Sequence, residues 1–211
     1  MCKITVTCII IKKKTRYLRK LSNMNKLQLI TFILLSAFLI QSCKKSSETA
    51  VAYSAAPLQA NIDGSTWAPD VDSVSNTITY NSATKTKVFN CIGTKNQEQV
   101  ILTITLSNAG NSNGFATGTF NIDSVSTVAQ YNTQIKNSSG NYVFLPHGGV
   151  SPGAGTIVIS AVDSVKKQIT GTFSFYSRTV NYDNTGKEIS ISVDNIYGGQ
   201  FNALPYNFIS N

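Results

Sequence analysis

Val100-Ile-Leu-Thr-Ile-Thr-Leu-Ser107 decides the fold class. Val100, Leu102, Ile104 and Leu106 share one side of an extended chain, and Ile101, Thr103, Thr105 and Ser107 share the other. A repeat of two marks a half-buried β-strand, whereas a helix would return its apolar positions at every third or fourth residue. The pattern recurs downstream. Ile169, Gly171, Phe173 and Phe175 alternate with Thr170, Thr172, Ser174 and Tyr176, and Ile189, Ile191 and Val193 alternate with Ser190, Ser192 and Asp194. Shorter runs at 58–62, 74–80, 86–92, 115–122, 128–135, 141–145, 156–162 and 196–203 complete the set. Turn signals separate them, for example Asn108-Ala-Gly-Asn-Ser-Asn-Gly114 and Asp183-Asn-Thr-Gly186, where glycine supplies the left-handed position a hairpin wants. No long stretch carries a helical stripe. The prediction is an all-β chain with a single antiparallel β-sandwich over 58–211, and a closed antiparallel barrel as the alternative.

The segment before this domain reads as a leader. Leu27 to Ile40 is an uncharged, mostly apolar run of 14 residues, followed by Gln41-Ser42-Cys43 and the polar Lys44-Lys-Ser-Ser-Glu48. Fourteen residues suit a signal-peptide core and fall short of the roughly 20 needed to span a bilayer. Ile40-Gln-Ser-Cys43 resembles the cleavage box of bacterial lipoproteins, which implies a signal peptide at 24–42 and lipidation of Cys43 with acyl chains such as palmitate. Three acyl chains exceed the two hydrophobic signals that stable anchoring takes. Residues 1–23 read as a mis-assigned start, with translation beginning at Met24, or as an extended leader. Residues 43–57 read as a tether, whose flexible part spans on the order of 20 Å.

The leader also accounts for the charge. The whole chain carries 18 basic and 10 acidic side chains, a formal +8, but eight of the basic residues precede Cys43 and every acid follows it. From Cys43 to Asn211 the two signs balance at ten each. A nucleic-acid partner, which the headline charge would invite, is therefore not expected.

Cys43 and Cys91 are the two cysteines left once the leader is removed. With Cys43 lipidated, the domain has no internal disulfide. Cys91 shares a strand face with Phe89 and reads as a packed core thiol, since a catalytic thiolate needs a neighbouring base. The tripeptide Asp-Ser-Val recurs at Asp72, Asp123 and Asp163, at spacings that define no repeat; aspartate at a strand end makes a turn, which explains the recurrence.

Leu58-Gln-Ala-Asn-Ile-Asp-Gly-Ser-Thr-Trp67, Gly155-Thr-Ile-Val-Ile-Ser160, Ile169-Thr-Gly-Thr-Phe-Ser-Phe175 and Gly199-Gln-Phe201 together resemble an uncharacterised lipoprotein family of Bacteroidota. The likeness covers roughly Leu58 to Ala203. It implies an envelope location, at the outer membrane, and brings no activity with it.

Candidate functional residues are few. Trp67, the single tryptophan, reads as a plug at one end of the sandwich; the functional alternative is a stacking platform for a sugar ring, with Asp63 as a polar neighbour. His147 is the only histidine and lies in Pro146-His-Gly-Gly-Val-Ser-Pro-Gly-Ala-Gly155. His-Gly-Gly resembles an esterase oxyanion loop, and Ser151 is close by. There is no Gly-x-Ser-x-Gly elbow, and the flanking glycines leave His147 poorly held. The loop reads as a mobile strand connection.

One histidine and one free cysteine cannot assemble a zinc set. Asp183-Asn-Thr-Gly-Lys-Glu188 departs from the calcium-loop pattern, and Asp70 with Asp72 reads as a solvated strand end. No cofactor and no metal are expected. General acid–base work needs paired groups with separated pKa values, and no two carboxylates stand out for it. The expected function is a non-catalytic binding module of the cell envelope, taking a glycan or an envelope protein. A structural or accessory subunit of an envelope complex is the alternative, and an enzyme the third.

Overall fold

The computed structural model describes residues 56–211. Residues 1–23, the signal peptide at 24–42, Cys43 and nearly all of the tether lie outside them. The described chain forms twelve strands. In order they are β1 (Leu58–Ile62), β2 (Ser65–Trp67), β3 (Val74–Asn81), β4 (Thr86–Lys95), β5 (Glu98–Leu106) and β6 (Gly118–Asn121). There follow β7 (Thr127–Lys136), β8 (Tyr142–Pro146), β9 (Gly155–Asp163), β10 (Gln168–Tyr182), β11 (Glu188–Pro205) and β12 (Asn207–Ser210). A single turn of 3-10 helix occupies Val71–Ser73.

Two six-stranded sheets result, ordered β2-β1-β11-β10-β9-β6 and β12-β3-β4-β5-β7-β8, and neither closes on itself. The predicted sandwich is what forms; the barrel alternative is excluded. Pairing is antiparallel throughout except at the edge, where β12 lies parallel to β3. The alternation that opened the sequence reading is visible in β5, where Val100, Leu102 and Ile104 are buried. Sheet one meets them with Ile157, Ile159, Ile169, Phe173, Ile196 and Phe201. Burying one such side chain is worth about 1.5–3 kcal/mol, so the two inner faces together hold the sandwich closed.

Three departures from the sequence reading matter. β2 and β12 are too short to show a pattern of their own. The runs at 189–194 and 196–203 belong to one strand of 18 residues. And β10 and β11 outrun their sheet. Pairing of β9 with β10 stops at Gly155↔Phe175, and pairing of β1 with β11 stops at Ile62↔Ile196. Beyond those points the two strands continue as an arm, paired with each other from Tyr176↔Asn195 to Tyr182↔Glu188.

On the arm the apolar phase turns outward. Phe175 and Ile196 face the core, so the alternating set Ser177, Thr179, Ser192 and Asp194 follows them inward. Ile189, Ile191 and Val193 lie on the outer side, 63 %, 43 % and 46 % exposed.

Candidate functional site

Asp63 and Gly64 make the β1–β2 turn in left-handed backbone, at φ of 48° and 86°. Asp63 grips the root of the arm twice. Its backbone N–H donates to the Asn195 carbonyl at 3.1 Å, and its Oδ1 accepts from the Asn195 N–H at 2.8 Å. Its role there is to fasten a turn to β11.

Trp67 is not a platform. It is 2 % exposed and packs beside Leu58 over Gly93, so no ring face remains for a sugar. The stacking alternative falls because the inner face of a sandwich claims its largest side chain before the surface does.

The glycine loop after β8 is also tighter than the sequence suggested. It crosses from one sheet to the other and is pinned along its length. The His147 N–H donates to the Tyr131 carbonyl at 2.8 Å, and Gly149 exchanges backbone bonds with Arg178 at 2.8 and 2.9 Å. Gly153 donates to Ile122 at 2.8 Å, and the Ser177 hydroxyl donates to the His147 carbonyl. Gly148, at φ 83°, lets the chain approach so closely that a Cβ there would stand 2.7 Å from Ser177 Oγ and Thr179 Oγ1. The glycines hold His147 in place rather than freeing it.

Around His147 the fold assembles a cluster that no local motif announced. His147 Nε2 lies 3.7 Å from Asp194 Oδ2, and Nδ1 lies 3.4 Å from Thr133 Oγ1. Its ring stands edge-on to Tyr131 at 5.9 Å, and the Tyr131 hydroxyl donates to Glu98 Oε1 at 3.0 Å. Burial pushes the Asp194 carboxyl up; His147 pulls it back, and neighbouring Asp63 pushes it further. Burial, with Glu98 behind it, likewise raises the Tyr131 phenol.

Asp63 and Asp194 are thus brought together, a juxtaposition that no local spacing announced. Each is engaged at the junction of the β1–β2 turn, β7, the β8–β9 connection and the arm. Among the described residues no three His, Cys, Asp or Glu side chains are placed to hold a metal ion. Cys91 is fully packed beside Phe89, and burial pushes its thiol up to about 12, which keeps it protonated and inert.

The recurrent aspartates are turn-makers where they end strands. Asp123 Oδ1 accepts from the N–H groups of Val125, Ser126 and Thr127 at 2.8–2.9 Å, and Asp163 Oδ1 from Val165 and Lys166 at 3.0 and 2.9 Å. Asp72 differs, sitting within the 3-10 turn.

One polar core residue went unnoticed in the sequence. Lys87 falls on the inner face of β4, 4 % exposed, and its Nζ donates to the Ser112 carbonyl, Ser112 Oγ and the Gly114 carbonyl at 2.8, 3.0 and 3.0 Å. All three acceptors are neutral, and burial lowers the ammonium pKa. Its position in the apolar phase of β4, among Phe89 and Cys91, was the signal available.

The largest surface anomaly is the arm. Tyr176, Tyr182, Ile189, Ile191 and Val193 are all between 43 % and 63 % exposed. Soluble domains rarely leave so many large apolar side chains on one hairpin without a use for them.

Residues 54–205 match the family model described as Domain of unknown function (DUF6252). No curated protein and no solved structure matches the chain.

Proposed function

The chain belongs to the DUF6252 family, a domain of unknown function, and on that premise we propose that it is a lipid-anchored cell-envelope protein acting as a non-catalytic binding module for a protein partner. The anchor in this reading is Cys43, at the outer membrane, as the Ile40-Gln-Ser-Cys43 box suggests. The observation that carries the binding role is the apolar outer side of the arm, with its aromatic and branched side chains unburied. Interfaces are built on such residues. A protein is favoured over a glycan because the only tryptophan is buried.

The chain's point of entry agrees with this. The Pro57 carbonyl accepts from Asn202 N–H, at the opposite end of β11 from the arm. Eleven residues of strand, about 36 Å at 3.3 Å each, separate Asn202 from Ile191. The arm therefore stands at the far end of β11 from the residue where the chain enters the domain.

The test is photo-crosslinking in cells. A photoreactive residue at Tyr176 or Val193 of the full chain is expected to give a discrete protein adduct, and one at Thr103, on the outer face of the second sheet, to give none. Equal labelling at all three positions, or none at any, defeats the reading. Cys43→Ser is expected to abolish incorporation of a fatty-acid analogue; unchanged incorporation defeats the anchor.

A further inference from the structure

We infer that the occupant of the arm is a second copy of this chain, added edge to edge along β11. This rests on the protein-binding reading above and names its partner. Asn195 uses its N–H and carbonyl on Asp63, at the side of β11 away from β10. In an antiparallel strand every second residue directs its backbone groups to the same side, so Val193 and Ile191 present theirs there too. No strand of the described residues occupies that side beyond Ile62↔Ile196. Neither lysine nor proline interrupts the open segment, though those are the usual guards of an exposed edge.

The sequence of this edge supplies the reason for choosing a copy of itself. Glu188-Ile-Ser-Ile-Ser-Val-Asp194 reads nearly the same in both directions about Ile191. Antiparallel pairing of two identical strands about a two-fold axis matches each residue with its mirror position, and a closed dimer is the only product. With the axis at Ile191, Ile189 faces the copy's Val193 on the apolar side, and Ser190 faces the copy's Ser192 on the polar side. The two arms become one four-stranded sheet whose outer face gathers both sets of exposed isoleucine, valine and tyrosine side chains. Glu188 meets the copy's Asp194 at each end, which caps the length of the pairing and keeps the association modest.

The experiment is sedimentation equilibrium on the unit Ser54–Asn211, whose core is complete in itself, from low micromolar to near-millimolar concentration. The mass is expected to rise towards twice the monomer. Ile191→Pro removes an N–H that serves only the open edge, so it should weaken association by about tenfold or more, a loss of at least 1.4 kcal/mol, with an unchanged circular dichroism spectrum. Ile191→Cys should give a disulfide-linked dimer under mild oxidation, and Thr103→Cys should not. Association that survives Ile191→Pro overturns the inference. So does a wild type that stays monomeric throughout; if arm crosslinks in cells then carry another protein's mass, the binding-module reading stands, and if there are none it falls as well.

Discussion

The ring of Phe201 stands edge-on to that of Phe89, with centroids 5.7 Å apart and planes at 90°. Phe201 comes from β11 in one sheet and Phe89 from β4 in the other. Phe173 lies against the first at 5.3 Å and Phe115 against the second at 5.8 Å, so the pair is the middle of an aromatic chain across the sandwich. Both rings are 0 % exposed. Phe201→Ala is expected to cost about 3–5 kcal/mol, measured by denaturant unfolding, because the cavity opens between two sheets that cannot both close on it. A loss under 1 kcal/mol would mean the sheets do not depend on this contact.

Gly93 allows Trp67 its place. A Cβ at that position would meet Leu58 Cδ2 at 2.5 Å and Trp67 Cη2 at 2.7 Å. Gly93→Ala is therefore expected to destabilise by about 1–3 kcal/mol through overpacking, although alanine is otherwise the better strand residue. Tryptophan fluorescence reads the displacement directly: the emission should shift to the red as the indole meets water. An unshifted spectrum with unchanged stability contradicts the packing.

The loop after β8 predicts a contrast between neighbours. His147→Ala removes a half-exposed ring from Tyr131 and should cost no more than about 1 kcal/mol. Gly148→Ala forces a side chain into left-handed backbone and against Ser177 and Thr179, and should cost about 2 kcal/mol or more. The reverse order in a thermal melt would show that the imidazole, and not the glycine, organises the connection.

Asp194 carries a pH signature. Its carboxyl is raised by burial above the usual carboxylate value of about 3.9, so the folded protein binds its proton more readily than the unfolded chain. Stability from this group is therefore greatest below about pH 4 and is lost as pH rises through the folded value. Asp194→Asn lacks that loss. The variant should match or exceed wild type by about 1 kcal/mol or less at neutral pH, with the gap closing in acid. A gap that widens as pH falls would refute the assignment.

Lys87 predicts the opposite slope on the alkaline side. Burial lowers its pKa, so the unfolded chain holds the proton more tightly, and stability should rise as pH climbs from the folded value towards about 10.5. Lys87→Met should abolish that rise. It should also cost about 1–3 kcal/mol at neutral pH, because Ser112 and Gly114 lose their donor. Hydrogen exchange confined to residues 108–114 would locate the damage; an unaltered loop would disprove the role.

Alternation in β3, β4, β5 and the inner half of β10 was legible because it is a local signal that each strand carries whole. Which side faces the core is not local. Ile189, Ile191 and Val193 alternate as well as Val100, Leu102 and Ile104 do, yet they point outward, because the arm continues the inward phase set by Ile196. The cluster of Asp63, Glu98, Tyr131, His147 and Asp194 was illegible for a related reason. Its members come from five elements and meet only through sheet register. Trp67 misleads in its own way: a lone tryptophan among Asp63, Ser65 and Thr66 has the same neighbours in sequence whether its ring is buried or bare.

The order of the strands has a consequence for how the chain is made. Gln59 of β1 pairs with Gln200 of β11, 141 residues later, and β3 is bordered by β12, the last strand of the described residues. Neither sheet can be completed before β11 and β12 have been made. Contacts this remote in sequence close slowly, so the earliest strands of this topology wait unpaired on one side for the latest.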